Sequence, residues 1–362
     1  MTDPKPRTLL HAFSTFRVGG PQIRFCTLAN RFGARYRHVI FAMDGCYDCR
    51  DRLAGGLKVE IADVLAKKPD ILGNRRRFRS YLKAHRPDLL VTYNWGSLEW
   101  AMANWPPLLR HVHIEDGFGR EEADRQLLRR VLTRRLVLSR SQIVVPSRTL
   151  ERIALNVWRL DPRRVQYIPN GIDCARFSAA TKASFDRPDQ SPVVGTLAGL
   201  RPEKNLRRLL DAFHLVRSHR PCQLLIAGDG PERESLETHV EALGLREHVR
   251  FTGHVGEPER IYAALDIFAL SSDTEQMPIT VIEAMAAGLP IAATDVGDLS
   301  EMISDENRPL LAQRNEASLA DTILRLLDRP ELRAHIGAAN RKVAESRFDV
   351  RTMAAAYAKL FG

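Results

Sequence analysis

Short apolar segments alternate with amphipathic segments along nearly the whole of this 362-residue chain. The apolar segments have the length of buried strands, and the segments between them have the spacing of helices. This alternation is the pattern of βαβ units, in which helices connect parallel strands. The chain carries no short-period repeat and no low-complexity tract, so solenoid and disordered architectures are excluded. The sequence therefore predicts an α/β fold throughout.

The alternating pattern occurs twice. The segment 179–192 is rich in small, polar and proline residues and divides the two occurrences, as a linker or a domain edge would. The strand candidates are 8–13, 38–43, 89–93, 111–114 and 143–146 before this segment, and 193–197, 224–227, 249–252, 267–270 and 291–294 after it. The helix-like segments of the first half are 21–32, 75–85 and 121–138, and those of the second half start near Lys204, Glu232, Glu257 and Ile279.

These counts predict two doubly wound domains, over 1–175 and 190–345. The chain from 317 onward has only helical segments, and we expect its last part, 346–362, to be a helix that packs back on the first domain. Open α/β sheets bind ligands at the carboxyl ends of their strands. Functional residues are therefore expected in the loops that follow strands.

Charge is distributed unevenly between the halves. Residues 1–190 have a net charge of +15, and residues 191–362 have a net charge of −5. A basic half can face nucleic acid, an anionic membrane or a phosphorylated substrate. No apolar run is long enough to cross a bilayer and the first residues are polar, which predicts a cytoplasmic protein, with the inner face of the membrane as a further location.

The most informative segment is 271–285, which follows the strand candidate 267–270. A proline at 278 precedes an apolar helix, so the backbone N–H groups of Ile279 and Thr280 are expected to open toward the strand end, as in an anion site. Glu275 lies before this helix and Glu283 lies inside it. A glutamate in so apolar a helix either meets a polar partner or points along a partly solvated face.

Glu275 and Glu283 are separated by seven residues, and Ala-Met-Ala-Ala-Gly follows. This spacing resembles the E-x7-E signature of the retaining glycosyltransferases of family 4. Segments 195–206, 227–231 and 251–255 resemble further blocks of that family in its order, and 168–173 resembles its interdomain block. The resemblance implies the GT-B fold, in which two Rossmann-like domains face each other across a cleft, the first for the acceptor and the second for the nucleotide sugar.

The resemblance also implies roles for individual residues. Glu275 would contact the donor sugar, Glu283 would bind the ribose hydroxyls, and the backbone of Met277, Pro278, Ile279 and Thr280 would contact sugar and phosphate. Lys204 would neutralise the departing diphosphate, an assignment favoured over a solvated lysine because a helix start disfavours a cation. The family commonly carries an arginine where this chain has Gly199, and Arg201 is the candidate to supply that charge.

The first half offers two weaker candidates. Gly19 and Gly20 follow the first strand, and glycine permits close approach of the backbone to a ligand. The resemblance implies that this loop lies beside the donor phosphate and the acceptor. His113 and Asp116 close the strand 111–114, where the resemblance implies a residue that contacts the sugar; a cluster of internally satisfied polar residues is the alternative.

The resulting prediction is a retaining, hexosyltransferase-type enzyme that acts in cell-surface polysaccharide or glycolipid synthesis. Asp-x-Asp is absent from the chain, which predicts metal independence, and no cofactor is expected besides the nucleoside diphosphate sugar donor. The expected acceptor is lipid-linked or a saccharide, and the basic half is expected to face an anionic membrane surface.

Two alternatives stay open. A nucleotide-sugar epimerase uses two such domains as well, and the groups near His113 could supply its acid and base. A non-catalytic nucleic-acid or membrane binder could use the arginine runs at 75–79 and 129–135, but no basic–aromatic repeat accompanies them, so nucleic acid is not expected as a partner.

Overall fold

The computed structural model describes residues 6–67, 69–118, 122, 126–181 and 191–362. The chain forms two compact units. Unit 1 comprises Met1–Pro169 together with Ala354–Gly362, and unit 2 comprises Asn170–Met353. Most of the segment predicted as a linker, and the start of the helix predicted from residue 121, lie outside the described residues.

Unit 1 is built on a sheet of seven parallel strands in the order β3-β2-β1-β4-β5-β6-β7. The strands are β1 Arg7–Phe13, β2 Tyr36–Ala42, β3 Val59–Ile61, β4 Leu89–Tyr93, β5 His111–Ile114, β6 Gln142–Val145 and β7 Val165–Tyr167. Its helices are α1 Gly20–Phe32, α2 Ile71–His85, α3 Leu98–Ala103, α4 Leu128–Val137 and α5 Arg148–Asn156. The central strands are buried along their length, as expected for a parallel sheet covered by helices on both faces.

Unit 2 is built on a sheet of five parallel strands in the order β10-β9-β8-β11-β12. The strands are β8 Val193–Leu197, β9 Gln223–Ala227, β10 Val249–Gly253, β11 Ile267–Leu270 and β12 Ile291–Ala293. The helices from residue 170 onward are α6 Cys174–Ser178, α7 Leu206–Arg217, α8 Arg233–Ala242, α9 Pro258–Tyr262, α10 Ile279–Ala286, α11 Leu299–Met302, α12 Glu316–Leu327, α13 Pro330–Arg347 and α14 Val350–Phe361. Two apolar clusters fill this unit, one of which contains most of α10.

The predicted α/β architecture is confirmed, and each of the ten predicted strands is present with its ends within two residues of the prediction. The sequence did not predict β3 and β7, which are three residues long, lie at the two edges of the first sheet and are partly exposed. Such short, half-polar edge strands carry no apolar run by which they could be recognised. Among the described helices, none is both long and apolar enough to span a membrane.

Both sheets reverse their strand order at one point. In unit 1 this point lies between β1 and β4, and in unit 2 it lies between β8 and β11. Loops leave the carboxyl ends of two such strands in opposite directions, which opens a crevice where α/β proteins bind ligands. The order of the strands thus directs attention to the loops after β1, β4, β8 and β11.

Candidate functional site

Lys204 and Glu275 meet at the reversal point of the second sheet. Lys204 follows β8 and Glu275 follows β11, and Lys204 Nζ donates to Glu275 Oε1 at 2.6 Å. The hydroxyl of Ser272 donates to the same oxygen at 2.7 Å. The side chains of Lys204 and Glu275 retain 21% and 9% exposure, so the pair is sheltered but reachable from solvent. A cation and a carboxylate with an oxygen to spare are therefore held together at a ligand-binding edge.

Hydrogen bonds fasten the two loops that carry this pair. The backbone N–H of Asp273 donates to the carbonyl of Glu203 at 3.0 Å, and Ser271 Oγ donates to the carbonyl of Lys204 at 3.1 Å. Arg208, in the first turn of α7, donates to the carbonyl of Ser271 at 2.8 Å and to Asp273 Oδ1 at 2.7 Å. These bonds fix the relative positions of the loops without using the groups of Lys204 and Glu275 that a ligand would need.

A glycine from a third loop completes this arrangement. Gly297 has a φ of +59°, and a Cβ atom built there would lie 2.0 Å from the carbonyl oxygen of Glu275. Only glycine adopts this conformation without strain and leaves room for that carbonyl. The segment around Glu275 is thus confined by the loop after β12 as well as by the loop after β8.

Helix α10 begins next to this pair. Pro278 lies immediately before its first residue, and no side chain caps the helix. In the described part of the chain, no acceptor lies against the backbone N–H of Ile279 or Thr280. A helix start with open N–H groups favours an anion. Met277 differs from its neighbours, because its side chain is buried and its sulfur accepts from the backbone N–H of Asn170 at 3.3 Å.

Glu283 lies in α10 and is largely surrounded by apolar side chains, with an edge that stays accessible. The buried hydroxyl of Tyr262 donates to Glu283 Oε2 at 2.8 Å. Burial raises the pKa of Glu283 to about 7, although the hydrogen bond from Tyr262 opposes that shift. Of the two sequence interpretations, a polar partner for Glu283 is the one that the structure supports.

Arg201 lies beside Gly199, the position at which the resemblance leads us to expect an arginine. A Cβ atom at Gly199 would lie 3.1 Å from Arg201 Nε, so the guanidinium occupies the space beside that residue. Its Nη1 lies 3.6 Å from Glu203 Oε1, and its side chain is 59% exposed. Arg201 is therefore free to reorient toward an anion while it supplies charge near Gly199.

In unit 1, the reversal point lies beside Gly19 and Gly20. Gly19 precedes the first residue of α1 with an extended backbone, and Gly20 begins the helix with open space where a Cβ would be. Neither has a positive φ, so these glycines provide room and not a special backbone conformation. Asp116, after β5, forms a two-pronged ion pair with Arg24 of α1, and its N–H donates to Asn94 Oδ1 at 2.7 Å.

His113 lies in a buried polar network and has no exposed surface. Its Nδ1 is 2.8 Å from Thr92 Oγ1 and its Nε2 is 3.5 Å from Glu115 Oε2. Glu115 also accepts from Arg134 Nε at 3.3 Å, and Arg134 is itself 1% exposed. Direct contact between His113 and a sugar, as the resemblance implied, is therefore not available in this structure. The alternative of internally satisfied polar residues describes His113 better, whereas Asp116 remains partly exposed.

Lys204, Glu275 and the start of α10, each predicted from the sequence, lie in unit 2, where Lys204 contacts Glu275, but the residues that support this pair were not predicted. Ser272, Arg208 and Gly297 lie in or near recognised segments, yet nothing in the sequence shows that they converge on Glu275. Tyr262 lies in another helix, 21 positions before Glu283, and carries no local signal at all. In the described residues no group of three histidine, cysteine or acidic side chains is placed to hold a metal ion, and metal independence stays a prediction.

Comparison with known families assigns one match to each half of the chain. Residues 18–176 match the model described as Glycosyltransferase Family 4, and residues 178–343 match the model described as Glycosyl transferases group 1. The two matches together extend over most of both units.

Relatives of known name align with part of the chain. It is 34% identical to the 2-deoxystreptamine glucosyltransferase of Streptomyces kanamyceticus over 188 residues, which is 48% of this chain and 49% of that protein. It is 29% identical to a lipopolysaccharide core biosynthesis glycosyltransferase of Rhizobium meliloti over 205 residues, which is 56% of this chain and 58% of that protein. The chain thus spans about half the length of the curated relatives it matches.

Solved structures match almost the entire chain at low identity. A glycosyltransferase of Rickettsia africae has a TM-score of 0.82 at 17% identity and covers 99% of this chain and 98% of its own. The Anabaena protein HepE in complex with UDP has a TM-score of 0.81 at 20% identity, with 98% and 99% covered. These likenesses establish the architecture, with two Rossmann-like units.

Proposed function

Because this chain belongs to glycosyltransferase family 4, we propose that it transfers a sugar from a nucleoside diphosphate sugar to an acceptor hydroxyl, with retention of the anomeric configuration. The observation that carries the proposal is the pairing of Lys204 with Glu275 beside the uncapped start of α10. Positive charge, open N–H groups and a carboxylate at one strand edge are the groups that a diphosphate and a sugar require.

In this proposal the diphosphate is held by Lys204 and by the first N–H groups of α10. The ammonium of Lys204 can contact a phosphate oxygen while it stays close to Glu275, since it has three hydrogens to donate. Arg201 adds a second cation, which moves from its loose contact with Glu203 toward the phosphate. Donors that are already in place stabilise the charge that develops on the leaving group without reorganisation.

Glu275 is proposed to contact the donor sugar. Its Oε1 already accepts from Lys204 and Ser272, which leaves Oε2 for hydroxyl groups of the ligand. The accessible edge of Glu283 is proposed to accept from the ribose hydroxyls, with Tyr262 fixing the orientation of the carboxyl group. The backbone around Met277 and Pro278 completes the contacts to sugar and phosphate.

The proposed reaction needs no base from the protein. The bond from the anomeric carbon to the phosphate oxygen breaks, and a bond from that carbon to the acceptor oxygen forms on the same face. The acceptor proton passes to the leaving phosphate oxygen. The protein then contributes position and electrostatic stabilisation, and metal-independent transfer is consistent with the two cations.

Unit 1 is proposed to take the acceptor, with Gly19, Gly20 and Asp116 as its candidate contacts. The relative from Rhizobium is named for lipopolysaccharide core biosynthesis and the one from Streptomyces for glucosyl transfer. These names support a hexosyl donor and a saccharide or lipid-linked acceptor in cell-surface polysaccharide or glycolipid synthesis. They also favour transfer over the epimerase alternative.

The variant Glu275→Gln tests the central role. Removing the negative charge while keeping the shape should lower kcat by about a hundredfold or more, because an interaction made in the transition state is lost. Nucleotide affinity, measured by calorimetry, should change by less than about threefold, since Glu275 contacts the sugar and not the nucleotide. Glu241→Gln on exposed α8 is the matched control and should leave both values unchanged. Equal kcat in wild type and Glu275→Gln would contradict the assignment.

A second experiment separates transfer from epimerisation. The protein is incubated with a panel of nucleoside diphosphate sugars, first without any acceptor. If the protein is a transferase, the sugar nucleotide should be recovered unchanged apart from slow hydrolysis. Chromatography with mass spectrometry identifies the product. An isomerised sugar nucleotide would establish the epimerase instead.

A further inference from the structure

Helix α4 of unit 1 exposes three leucines in a single row. Leu128, Leu132 and Leu136 are 73%, 55% and 59% exposed, although they are large apolar residues on a helix of ten. Scattered exposed leucines are ordinary on protein surfaces, but a contiguous apolar row indicates a binding surface. The opposite side of the same helix is buried through Val131, Arg134 and Val137, so α4 is packed and its leucines are not the result of a detached helix.

Arginines border this row on both sides. With about 100° per residue, the three leucines occupy an arc of about 80° on the helix, and Arg135 and Arg129 lie about 20° beyond its two edges. Both arginines are exposed, and no described acidic side chain forms an ion pair with either of them. The helix contains no acidic residue at all. An apolar row with cations along both margins is the pattern of a helix that lies in the interface of an anionic bilayer.

We propose that the outer face of α4, formed by Leu128, Leu132, Leu136, Arg129 and Arg135, binds the surface of an anionic lipid bilayer. The leucines enter the boundary between headgroups and acyl chains, and the arginines stay at the level of the phosphates, where long cationic side chains reach water. This role lies beyond sugar transfer and does not depend on it.

Charge distinguishes this partner from the other candidates. A twofold dimer through the same face would bring the arginines of one copy toward those of the other, with no acid on α4 to compensate them. Nucleic acid would pair with the arginines but would leave the leucines in water. The net charge of +15 on residues 1–190 adds long-range attraction to an anionic surface and none to a neutral one.

Vesicle cosedimentation of the full chain tests the proposal without any substrate. Wild type should bind vesicles that contain phosphatidylglycerol and should bind pure phosphatidylcholine vesicles at least about tenfold more weakly. The triple variant Leu128→Gln, Leu132→Gln, Leu136→Gln should reduce the partition coefficient about tenfold or more, because each buried side chain contributes. The double variant Arg129→Gln, Arg135→Gln should reduce it as well and should weaken its dependence on salt.

Matched controls replace exposed apolar residues elsewhere. Val157→Gln and Leu215→Gln, at 42% and 38% exposed, should keep wild-type binding. Full binding by the triple leucine variant would overturn the proposal, and so would binding that depends on the arginines alone. Analytical ultracentrifugation without vesicles tests the alternative partner. A concentration-dependent dimer that wild type forms and the triple leucine variant does not would show that this face binds a second copy of the chain instead.

A tryptophan placed in the leucine row of α4 reports directly on insertion of the row into the bilayer. Leu132→Trp should shift its emission to shorter wavelength with phosphatidylglycerol vesicles and should be quenched by brominated lipid, whereas Leu215→Trp should show neither change. An unshifted, unquenched Leu132→Trp would contradict insertion. Since none of these measurements uses a nucleotide sugar, their failure and a failure of the proposed transferase activity would be distinguishable.

Discussion

Glu283 shows how a residue with a proposed ligand role affects the protein without its ligand. The carboxyl group is almost surrounded by the apolar side chains of unit 2, and burial raises its pKa to about 7 from an ordinary value of 4.5. The folded chain therefore binds this proton more tightly than the unfolded chain does. The contribution of Glu283 to the free energy of unfolding becomes less favourable as the pH rises from about 4.5 to about 7.

The variant Glu283→Gln should remove this dependence. At pH 8 it should be more stable than wild type, by up to roughly 3 kcal/mol, because the uncharged amide does not need to be desolvated as a carboxylate. Near pH 4 the two proteins should unfold alike. Urea unfolding at several pH values measures the difference, and calorimetry should show that the more stable variant binds nucleotide poorly. A constant difference across the pH range would refute the raised pKa.

The sequence was informative about Glu283 for a definite physical reason. A charged residue in an apolar helix is costly, so its presence indicated a polar partner even before that partner was known. Tyr262 itself could not be inferred, because the contact joins two helices through tertiary packing. His113 illustrates the converse: its strand-end position suggested ligand contact, but burial, which no local pattern reports, places it inside a network with Thr92 and Glu115.

At the scale of elements, the loops after β8, β11 and β12 together shape the candidate site. The sequence indicated the first two through their motifs, since strand ends can be recognised from apolar runs. It did not indicate that Gly297 presses against the carbonyl of Glu275, because such an approach depends on how three loops fold over one sheet edge. From the sequence alone, Gly297 could equally well have belonged to an ordinary turn after β12.

The variant Gly297→Ala tests this packing. A Cβ atom would require either the φ of +59° or the position of the Glu275 carbonyl to change. We expect a loss of stability of about 1–3 kcal/mol and a fall in kcat, because the segment around Glu275 would be displaced. Gly256→Ala is the control, since open space surrounds that position, and it should behave as wild type in both assays. Unaltered turnover in Gly297→Ala would show that the segment around Glu275 tolerates displacement.

At the scale of the whole molecule, the buried histidines of unit 1 and Glu283 of unit 2 respond to acid in opposite ways. In unit 1 burial lowers the pKa of His38 to about 4, and burial together with the neighbouring His38 lowers the pKa of His11 well below 6.5. Burial likewise lowers the pKa of His111 to about 3. The unfolded chain takes up these protons more readily, so the stability of unit 1 falls as the pH decreases below about 6.5. In unit 2, Glu283 acts in the opposite direction.

Acidification from pH 7.5 to pH 5 should therefore destabilise unit 1, by up to roughly 2 kcal/mol for each of His11, His38 and His111. All four tryptophans lie between residues 95 and 158, so thermal unfolding followed by tryptophan fluorescence reports on unit 1 alone. Its midpoint should fall as the pH decreases. His38→Gln should flatten the decline, and an equally steep decline in that variant would exclude His38 as a cause.

The last helix has a consequence for the order in which the protein is made. Residues 354–362 belong to unit 1, where the ring of Phe361 packs against Phe32 and Tyr36 and the carbonyl of Phe361 accepts from Arg7. A ribosome synthesises these residues only after all of unit 2. The unit that is synthesised first is therefore completed last. Until the end of α14 has been synthesised, Phe32 and Tyr36 lack the packing that Phe361 provides.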